Sequence, residues 1–474
     1  MQDIVIIGGG IIGCSIAREL SKYKVSITVI EKMDDVASGI SKANSGIVHA
    51  GYNEKKGTLK AKLTLEGNHL YDALSKELDF SFQREGALIL AFDEEEHKKL
   101  FALKENGEAL GMTGLQMLSK EEALALEPNL SSTITSALFV KDSGIINPYE
   151  TTIALAENAS INGVEFLFQS KVIGVECLEN EGFRITLHTG QTIDCHLLIN
   201  AAGLFSEEIA QMLSLPTTPV TPVKGEYCLF NAIAGQKVKR TIFQVPSETT
   251  KGVLITPTTE GQLIVGPNAV LSSDKEDTST HKEDLISLLK TAEKSVPGIS
   301  PDAMLTTFAG LRPRIASGDF IIDDSELYPG FISLFGIDSP GLTAAPAIAL
   351  HVVELVATHL TLEKKEDFIA TRKHLISFME LTKEERNELI HSNPAYGRVV
   401  CKCENITEGE IIASIHRPVG ARSVDAVKRR TRATLGGCQG TGCLLPISKI
   451  ISRELGIELS EVMKNNKGSN AIGY

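Results

Sequence analysis

Four cysteines near the C-terminus are the residues best suited to hold a metal centre. They form two close pairs, Cys401-x-Cys403 and Cys438-x4-Cys443, and four thiolates can hold either a zinc ion or an iron–sulfur cluster. Structural zinc sites favour C-x-x-C pairs, which this spacing does not provide. The sequence therefore favours a 2Fe–2S cluster and leaves zinc as the alternative. The glycine-rich loop inside the second pair offers backbone N–H groups to cluster sulfur.

A second group of residues, at the N-terminus, has the spacing of a dinucleotide site. Gly8, Gly10 and Gly13 lie between an apolar strand at 4–7 and a helical pattern. The first glycine permits a tight turn, the second lets a pyrophosphate approach the backbone, and the third lets the helix pack on the strand. The start of the helix adds free N–H groups and the positive end of its dipole. Glu31 ends the next strand, where an acidic side chain accepts hydrogen bonds from a ribose diol.

Length and charge divide the chain into parts. It has 474 residues and a formal net charge of −13, and this length predicts two or three domains. The negative charge disfavours general nucleic-acid binding. Roughly the last eighty residues carry about +5 and the rest about −18, which indicates a separate basic module at the C-terminus.

Neither a signal peptide nor a membrane span is expected. The first strand begins without a basic segment before it, and the most apolar stretch, 341–360, contains a histidine and a glutamate. The remaining cysteines are scattered through strand and helix patterns and are expected to be core residues: Cys14, Cys177, Cys195 and Cys228. Because this cysteine usage fits a reducing compartment, we predict a cytoplasmic location, with any membrane contact made through partners.

The elements that must position these residues follow from apolar periodicity. Residues 57–79 and 93–127 have helical patterns, and a strand hairpin turns near 180–182. Residues 216–309 are rich in strands and predict an antiparallel sheet inserted between parts of the nucleotide domain. Residues 362–392 predict a charged, solvated linker helix. The fold class is therefore α/β, or α+β overall.

Four segments of the first 360 residues carry a resemblance to a known family. They are the glycine motif, the strand ending in Ala202-Gly203, the run Ala309-Gly310-Leu311-Arg312-Pro313, and the run Gly336-Ile337-Asp338-Ser339-Pro340-Gly341-Leu342-Thr343. Together they resemble the FAD-dependent glycerol-3-phosphate dehydrogenase and D-amino-acid oxidase family. The loop Ser45-Gly46-Ile47-Val48-His49-Ala50-Gly51 resembles the branch of glycerol-3-phosphate and L-2-hydroxyglutarate oxidases.

Residues 401–443 resemble a different family, the bacterioferritin-associated-ferredoxin type of 2Fe–2S domain. That domain also ends the catalytic subunit of anaerobic glycerol-3-phosphate dehydrogenase, and the whole architecture is most similar to that subunit. The resemblance implies the following domains: an FAD-binding domain over 1–80, 145–215 and 310–361, a substrate domain over 81–144 and 216–309, a helical linker over 362–394, and a 2Fe–2S domain over 395–474.

The resemblance implies that FAD is the nucleotide and which residues bind it. The implied residues are Gly8, Gly10, Ile12, Gly13, Glu31, Lys32, Ser38, Ser45, Gly46, Ile47, Val172, Ala202, Gly203, Gly310, Gly336, Pro340, Gly341, Leu342 and Thr343. The sequence agrees, because glycine-ended strands recur at Gly203 and Gly336 as if later elements return to one ligand. Backbone amides at the start of the helix that follows could stabilise negative charge on a reduced flavin.

His49 is the candidate base for oxidising an alcohol, which requires a group that takes the hydroxyl proton near neutral pH. It lies on the glycine-rich loop expected to face the flavin ring, and imidazole titrates in the useful range. The matching histidine in the oxidase branch implies the same role. The alternative is a buried histidine that only orients the substrate.

Arg312 is the candidate catalytic-site anchor for an anionic substrate, since a guanidinium grips a carboxylate or phosphate with paired bonds. The alternative is a structural salt bridge. Arg314 and Lys224 are further candidates for substrate binding, although either could face solvent instead. Three more arginines, Arg429, Arg430 and Arg432, precede the second cysteine pair; they form either a solvated helix face or a site that raises cluster potential and docks an acidic partner.

We therefore predict a dehydrogenase that oxidises glycerol 3-phosphate to dihydroxyacetone phosphate. FAD and the 2Fe–2S cluster would carry the electrons to a partner subunit or flavoprotein, because the cluster would have no role if oxygen were the acceptor. Oxidation of a 2-hydroxy acid such as L-2-hydroxyglutarate, or of an amino acid, stays open, since Arg312 suits a carboxylate equally well. A non-catalytic electron-transfer subunit is the alternative of another class, and His49 and Arg312 argue against it.

Overall fold

The computed structural model describes residues 1–179, 182–246 and 252–472, and its fold is mixed α/β, as predicted. Within these ranges the helices are α1 (Ile11–Leu20), α2 (Leu59–Leu78), α3 (Glu94–Ala109), α4 (Lys120–Leu126), α5 (Pro148–Ile161), α6 (Ser206–Met212), α7 (Ala232–Gly235), α8 (Lys282–Ser295), α9 (Gly341–Val356), α10 (Lys383–Ser392), α11 (Glu408–Ile415), α12 (Val424–Thr431) and α13 (Leu444–Leu455).

The strands of the described residues fall into four sheets. They are β1 (Gln2–Ile7), β2 (Ile27–Ile30), β3 (Ile47–Val48), β4 (Phe82–Gln83), β5 (Ala87–Ala91), β6 (Leu115–Ser119), β7 (Ser136–Val140), β8 (Gly144–Ile146), β9 (Glu165–Leu167), β10 (Val172–Cys177), β11 (Phe183–Leu187), β12 (Thr192–Asn200), β13 (Thr221–Phe230), β14 (Thr241–Gln244), β15 (Leu254–Pro257), β16 (Leu263–Gly266), β17 (Val270–Leu271), β18 (Met304–Arg314), β19 (Ile321–Asp324), β20 (Phe331–Phe335), β21 (Val399–Cys401) and β22 (Ile406–Thr407).

The first sheet carries the dinucleotide motif. Its order is β10-β11-β12-β1-β2-β9, with β20 beside β12 and β19 beside β20. Strands β20, β12, β1, β2 and β9 run parallel, so their carboxyl ends meet at one edge. Side chains of β1 alternate between the two faces: Ile4 and Ile6 pack with α1 and α9, whereas Val5 and Ile7 pack with α6. Both faces are therefore covered, as in other parallel sheets.

The second sheet has the order β17-β13-β16-β15-β14-β5-β7-β6, with β18 on the other side of β13. It is the inserted sheet of the prediction, with three differences. Strand β14 pairs with β5 in parallel, and α8 interrupts the strands. Strand β18 runs through residues 309 and 310, where the predicted domain boundary lay. The long antiparallel pairing of β13 with β18 holds this strand in the second sheet.

The linker between the two halves is mostly not helical, which corrects the prediction for residues 362–394. Its regular helix is α10, and the earlier part is an extended strap along α5. Asn158 of α5 and Asn162, which caps the end of α5, bond the strap backbone at 2.8–3.0 Å. Arg372 of the strap reaches the buried Glu157 at 2.6 Å. These long-range bonds outweigh the helical propensity of the charged sequence.

The structure also tests three smaller predictions, which concern helices, cysteine burial and a hairpin. The predicted helix over 57–79 is confirmed as α2, whereas the pattern over 93–127 divides into α3, β6 and α4. Cys177 is exposed rather than part of the core, because it ends an edge strand, and Cys14, Cys195 and Cys228 are buried as expected. The hairpin of β10 and β11 is confirmed, but turn positions 180 and 181 lie outside the described residues.

Residues 395–472 form a small module with its own apolar core. Helices α11, α12 and α13 pack around Ile411, Val427, Ile447 and Ile451, and β21 pairs with β22 beside them. The module is not separate from the rest, because Val419 belongs to a core cluster of the first half of the chain. No helix among the described residues is long and apolar enough to cross a membrane.

Candidate active site and metal centre

A cavity of about 540 Å³ opens at the carboxyl edge of the parallel sheet, between the first and second sheets. The strand ends, the start of α9, the loop after β2 and the second sheet all contribute to its wall. Many of the predicted site residues line it: Gly10, Ile12, Ser45, Ile47, His49, Gly203, Arg312, Arg314, Pro340, Gly341 and Leu342. Residues spread over more than 300 positions of sequence thus meet around one space.

The glycine turn is built to let a ligand approach the start of α1. Gly8 has φ +114, and a Cβ there would lie 2.5 Å from the carbonyl oxygen of Ala201. A Cβ on Gly13 would lie 1.9 Å from the carbonyl oxygen of Gly8. Gly10, in contrast, faces the cavity. The turn therefore needs glycine for packing at two positions and leaves the third free for a pyrophosphate, so the residues fit FAD.

Several other predicted FAD-binding residues do not line the cavity themselves but belong to segments that do or that adjoin them: Gly8, Gly13, Gly46, Ala202, Gly310, Gly336 and Thr343. They connect lining segments. The hydroxyl of Thr343, for example, accepts the backbone N–H of His49 at 2.8 Å. Gly8, Gly203 and Gly336 follow the neighbouring parallel strands β1, β12 and β20, which explains why glycine-ended strands recur in the sequence.

Four predicted FAD-binding residues do not reach this cavity. The carboxylate of Glu31 accepts the backbone N–H groups of Gly9 at 2.7 Å and Met33 at 2.9 Å, and burial raises its pKa. Lys32 lies over the ring of Phe205. The other two are also occupied elsewhere, since the Ser38 hydroxyl donates to the Asp35 carbonyl oxygen and Val172 lies in an apolar cluster. Their roles in binding FAD stay predictions.

His49 is fixed in the cavity wall through its backbone. Besides the bond to Thr343, its carbonyl oxygen accepts a hydrogen bond from Asn68 at 2.9 Å. Its ring lies 6.0 Å from the ring of Phe243, centroid to centroid. The histidine loop is therefore attached to the first turn of α9, where Gly341 also lines the cavity. An imidazole and a helix N-terminus thus face the same space.

Arg312 extends from β18 into the cavity and is held there by neutral groups. Its Nη2 donates to the carbonyl oxygen of Asn268 at 2.9 Å, and its guanidinium bonds the hydroxyl of Tyr227. No carboxylate among the described residues forms an ion pair with it. Burial raises the pKa of Tyr227, and the guanidinium offsets part of that shift. A positive charge in a partly buried site without an acidic partner is suited to an anionic ligand.

Space for this guanidinium depends on the residue opposite it. Gly225 lies on β13, and a Cβ there would come within 2.1 Å of Arg312 Nη2 and 2.9 Å of Pro267 Cβ. Because side chains alternate along a strand, Tyr227 shares the cavity face with Gly225, whereas Lys224 points away. Lys224 is buried and reaches Asp277 at 2.8 Å. This geometry corrects the prediction that Lys224 contacts substrate.

Arg314 and a residue that the sequence did not suggest share one carboxylate. Lys60 Nζ lies 2.5 Å from Asp338 Oδ1, and Arg314 Nε lies 3.5 Å from Asp338 Oδ2. All three line the cavity. Lys60 is buried on the apolar face of α2, and that placement is the sequence signal that could have identified it. Other lining residues were also missed: Asn53, Glu54, Tyr227, Phe243 and Asn268.

The four predicted metal ligands meet in the C-terminal module as two pairs. All four cysteines are free thiols, and a hydrogen bond joins Cys403 to Cys438 and another joins Cys401 to Cys443. Among the described residues no three cysteine sulfurs lie within 4.8 Å of one another, whereas four thiolates on one zinc ion would. Two separate pairs fit two irons, each held by two thiolates. The arrangement therefore favours a 2Fe–2S cluster over zinc.

The loop between the second pair of cysteines directs backbone N–H groups at the sulfur of Cys438, and bonds from this loop to cluster sulfur stay a prediction. The backbone N–H of Gly442 is the largest of the causes that hold the pKa of the Cys438 thiol below its ordinary value, and Gly440 and Thr441 add to it. Backbone donors to sulfur also tune a cluster's potential. Cys403 is exposed and Cys401 is buried, so one edge of the site faces solvent.

Arg429 and Arg430, which precede the second cysteine pair, form neither a solvated face nor an exposed docking patch, and an effect of the three arginines on cluster potential stays a prediction. Arg429 and Arg430 are buried and reach the buried Asp35 at 2.7 Å each. Arg432 bonds Glu404 at 3.0 Å. The contacts were hidden from the sequence because Asp35 lies almost 400 residues away. The basic module thus docks on acidic groups of its own chain.

Comparisons with known proteins agree with both sites. The model of the FAD dependent oxidoreductase family (DAO) matches residues 3–355, and that of the BFD-like 2Fe-2S binding domain matches residues 399–453. A glycerol 3-phosphate dehydrogenase of Caloramator mitchellensis is 46% identical over 470 residues, covering 99% of this chain and 98% of the relative. An L-2-hydroxyglutarate dehydrogenase of Escherichia coli K12 is 29% identical over 76% of this chain and 94% of its own length.

A solved structure supports the same fold. Dithionite-reduced L-alpha-glycerophosphate oxidase from Mycoplasma pneumoniae, with FAD bound, superposes with a TM-score of 0.75 at 34% identity. The match covers 98% of that chain but only 78% of the present one. The oxidase therefore has no counterpart of comparable length to the C-terminal module.

Proposed function

The chain belongs to the family of FAD-dependent oxidoreductases (DAO) and ends in a 2Fe–2S binding domain, and on that premise we propose that it oxidises glycerol 3-phosphate to dihydroxyacetone phosphate. Electrons leave through the cluster toward a partner subunit or flavoprotein. The full-length likeness to a glycerol 3-phosphate dehydrogenase supports the choice of substrate. A cytoplasmic location, with membrane contact only through partners, belongs to the same proposal.

The observation that carries the proposal is the unpaired guanidinium of Arg312. It lies in the cavity wall with Asn268 and Tyr227 as partners and without a carboxylate among the described residues. A phosphate monoester supplies the missing charge and the geometry for paired hydrogen bonds. Arg314 and Lys60 add positive charge nearby, but both share Asp338 and are therefore partly neutralised. Arg312 is thus the main anchor for the phosphate in this proposal.

The chain's residues divide the chemistry between them. Bound FAD supplies a two-electron acceptor for the substrate carbon, and the cluster supplies a one-electron acceptor. Arg312 holds the phosphate and so fixes the distance of the alcohol carbon from the ring, which needs to be about 3–3.5 Å. His49 takes the hydroxyl proton. The start of α9 stabilises negative charge that develops beside Gly341 and Leu342.

The test of the substrate is anaerobic bleaching of the flavin absorption. Purified protein loaded with FAD and iron is mixed with glycerol 3-phosphate, L-2-hydroxyglutarate or glycine. We expect rapid bleaching by glycerol 3-phosphate and slow or no bleaching by the other two. Bleaching by L-2-hydroxyglutarate or glycine alone would overturn the proposed substrate and leave the family assignment intact.

The test of the base is His49→Asn, which keeps a polar side chain in the loop. Loss of a general base slows flavin reduction by about 10²–10⁴-fold, and the acid limb of its pH profile should disappear. FAD content should not change, because His49 is held through its backbone. A variant that keeps the normal rate and pH profile would show that another group takes the proton.

A further inference from the structure

The segment after β2 contributes part of the wall of the FAD cavity. We call residues 33–43 the cofactor loop. Its backbone lies against the glycine turn, since Ala37 N–H donates to the Gly9 carbonyl oxygen at 3.0 Å. The hydroxyl of Ser41 accepts the N–H of Ile11, the first residue of α1, at 2.9 Å. Ile40 and Ser41 line the cavity. The position of this loop therefore shapes the space for the cofactor.

The outer face of the cofactor loop is covered by the iron–sulfur module. Asp35 at its centre is 2% exposed. Arg430 donates to both of its carboxylate oxygens, at 2.7 and 2.9 Å, and Arg429 donates to one of them at 2.7 Å. The neighbouring Asp34 accepts the hydroxyl of Ser423, which caps α12. One helix of the module thus holds two consecutive residues of the loop.

Asp35 also contributes to the local shape of the loop, through its carboxylate and its backbone carbonyl. Its Oδ1 accepts the backbone N–H of Val36 at 2.9 Å, and its carbonyl oxygen accepts the hydroxyl of Ser38 at 2.7 Å. Burial alone would raise the pKa of Asp35, but Arg430 and Arg429 outweigh it and hold the pKa below the ordinary value. The ionised form therefore depends on the module.

We propose that Arg429 and Arg430 are positioning residues for FAD: by holding Asp35 they fix the cofactor loop, so that docking of the iron–sulfur module tightens FAD binding in the other half of the chain. The coupling is reciprocal, so bound FAD also stabilises the docked module. This inference rests on FAD binding, which the family membership gives. It does not depend on the substrate, so its failure is distinguishable from failure of the glycerol 3-phosphate proposal.

A second ion-pair group in the same interface provides a matched control. Arg417 of the module reaches Glu157 at 2.5 and 2.9 Å. Glu157 lies on α5, outside the cofactor loop, and keeps Arg372 as a partner when Arg417 is lost. Arg417→Met therefore removes one ion pair of the interface and leaves the contacts of Arg429 and Arg430 with Asp35 in place. Arg429→Met/Arg430→Met weakens docking and frees the loop.

The experiment measures the dissociation constant of FAD by titrating flavin-stripped, iron-loaded protein and following flavin fluorescence. Arg429→Met/Arg430→Met should weaken FAD binding at least tenfold, within the range of coupling energies between sites. Arg417→Met should stay within about twofold of the parent protein. Cluster absorption and the unfolding midpoint of each variant report whether the module is still folded.

Asp35→Asn keeps the test valid if the double arginine variant does not fold. An amide still accepts from one arginine, and Arg430 keeps its bonds to the carbonyl oxygens of Val419 and Ala426. We expect a smaller weakening of FAD binding in the same direction. Unchanged FAD affinity in a folded arginine or Asp35 variant would overturn the proposal. Equal weakening by Arg417→Met would overturn it too, since the effect would then not depend on the contacts with Asp35.

Discussion

Arginine plays opposite parts in the FAD cavity and in the interface of the iron–sulfur module. Arg312 in the cavity has a carbonyl oxygen and a phenol as its partners. In the interface, Arg417, Arg429 and Arg430 all reach buried carboxylates. In the cavity, where a ligand is expected, the positive charge of the arginine has no acidic partner among the described residues. In the interface between two parts of the chain, each arginine is neutralised by a carboxylate.

This difference separates arginines that stabilise the fold from arginines that bind a ligand. Removing one partner of a buried pair leaves a lone charge in the fold, so paired arginines bear on stability. An arginine without an acidic partner leaves no such charge behind, so its loss bears on ligand binding. Four substitutions test this contrast.

Glu157→Gln should be the most damaging change to the fold. It removes the shared partner of Arg372 and Arg417, whose pairing outweighs burial and holds the pKa of Glu157 below its ordinary value. Breaking a buried pair costs about 3–5 kcal/mol in the free energy of unfolding, measured by urea denaturation. Glu454→Gln, at the exposed His416 and Arg453, is the control and should cost at most about 1 kcal/mol. Equal costs would remove the contrast.

Arg312→Met should act on substrate and spare the fold. Loss of a charged partner for an anion costs about 2–5 kcal/mol, so kcat/KM for anaerobic flavin reduction should fall by about 10²–10³-fold. The free energy of unfolding should stay within about 1 kcal/mol of the parent, because no described carboxylate loses its partner. Strong destabilisation with intact kinetics would make Arg312 a structural residue after all.

Gly225→Ala should reproduce part of the Arg312 defect without removing the guanidinium. The new Cβ would overlap Arg312 Nη2, so the side chain must move away from Asn268. We expect KM for glycerol 3-phosphate to rise about tenfold, equivalent to about 1.4 kcal/mol, with FAD affinity unchanged. Steady-state kinetics with a dye acceptor measure it. In the Arg312→Met background the same substitution should add almost nothing.

Lys42→Met should slightly stabilise the protein, because Lys42 is a largely desolvated cation close to the positive charge of Arg429. Burial, followed by the charge of Arg429, lowers its pKa to about 8, against about 10.4 in an unfolded chain. The unfolded state therefore binds more protons between these values, and stability rises with pH across that window. At pH 7 the substitution should add about 1 kcal/mol to the free energy of unfolding, a value reduced for partial exposure. The rise with pH should be smaller in the variant than in the parent, and the part that stays is expected from Lys428, whose pKa burial also lowers.

The sequence predicted the parts of this molecule that depend on neighbouring residues. The turn at Gly8 to Gly13 combines a strand, a helix start and close packing within one short segment, so its spacing alone specified the fold there. The spacing of the four cysteines likewise identified them as a metal site, although the structure pairs Cys401 with Cys443 and Cys403 with Cys438, across the two sequence motifs. His49 and Arg312 required the family resemblance, and the structure brings both to one cavity.

Features that depend on distant partners escaped prediction. The strap before α10 follows bonds to α5 rather than its own helical propensity. Lys224 reaches Asp277 on the far side of its strand, and Arg430 reaches Asp35 across almost the whole chain. The charge pattern of a sequence does not reveal whether a charged side chain has an oppositely charged partner in a distant part of the chain. Lys60 was overlooked for the same reason, because Asp338 lies in another domain segment.

Electron transfer from substrate through flavin to the cluster is tested by following both redox groups after one addition of glycerol 3-phosphate to anaerobic holoprotein. Flavin absorption and the paramagnetic signal of a reduced 2Fe–2S cluster are recorded against time at several protein concentrations. We expect the flavin to be reduced first and the cluster afterwards, at a rate independent of protein concentration, since the module is docked on its own chain. A cluster that stays oxidised while the flavin is fully reduced would contradict this expectation.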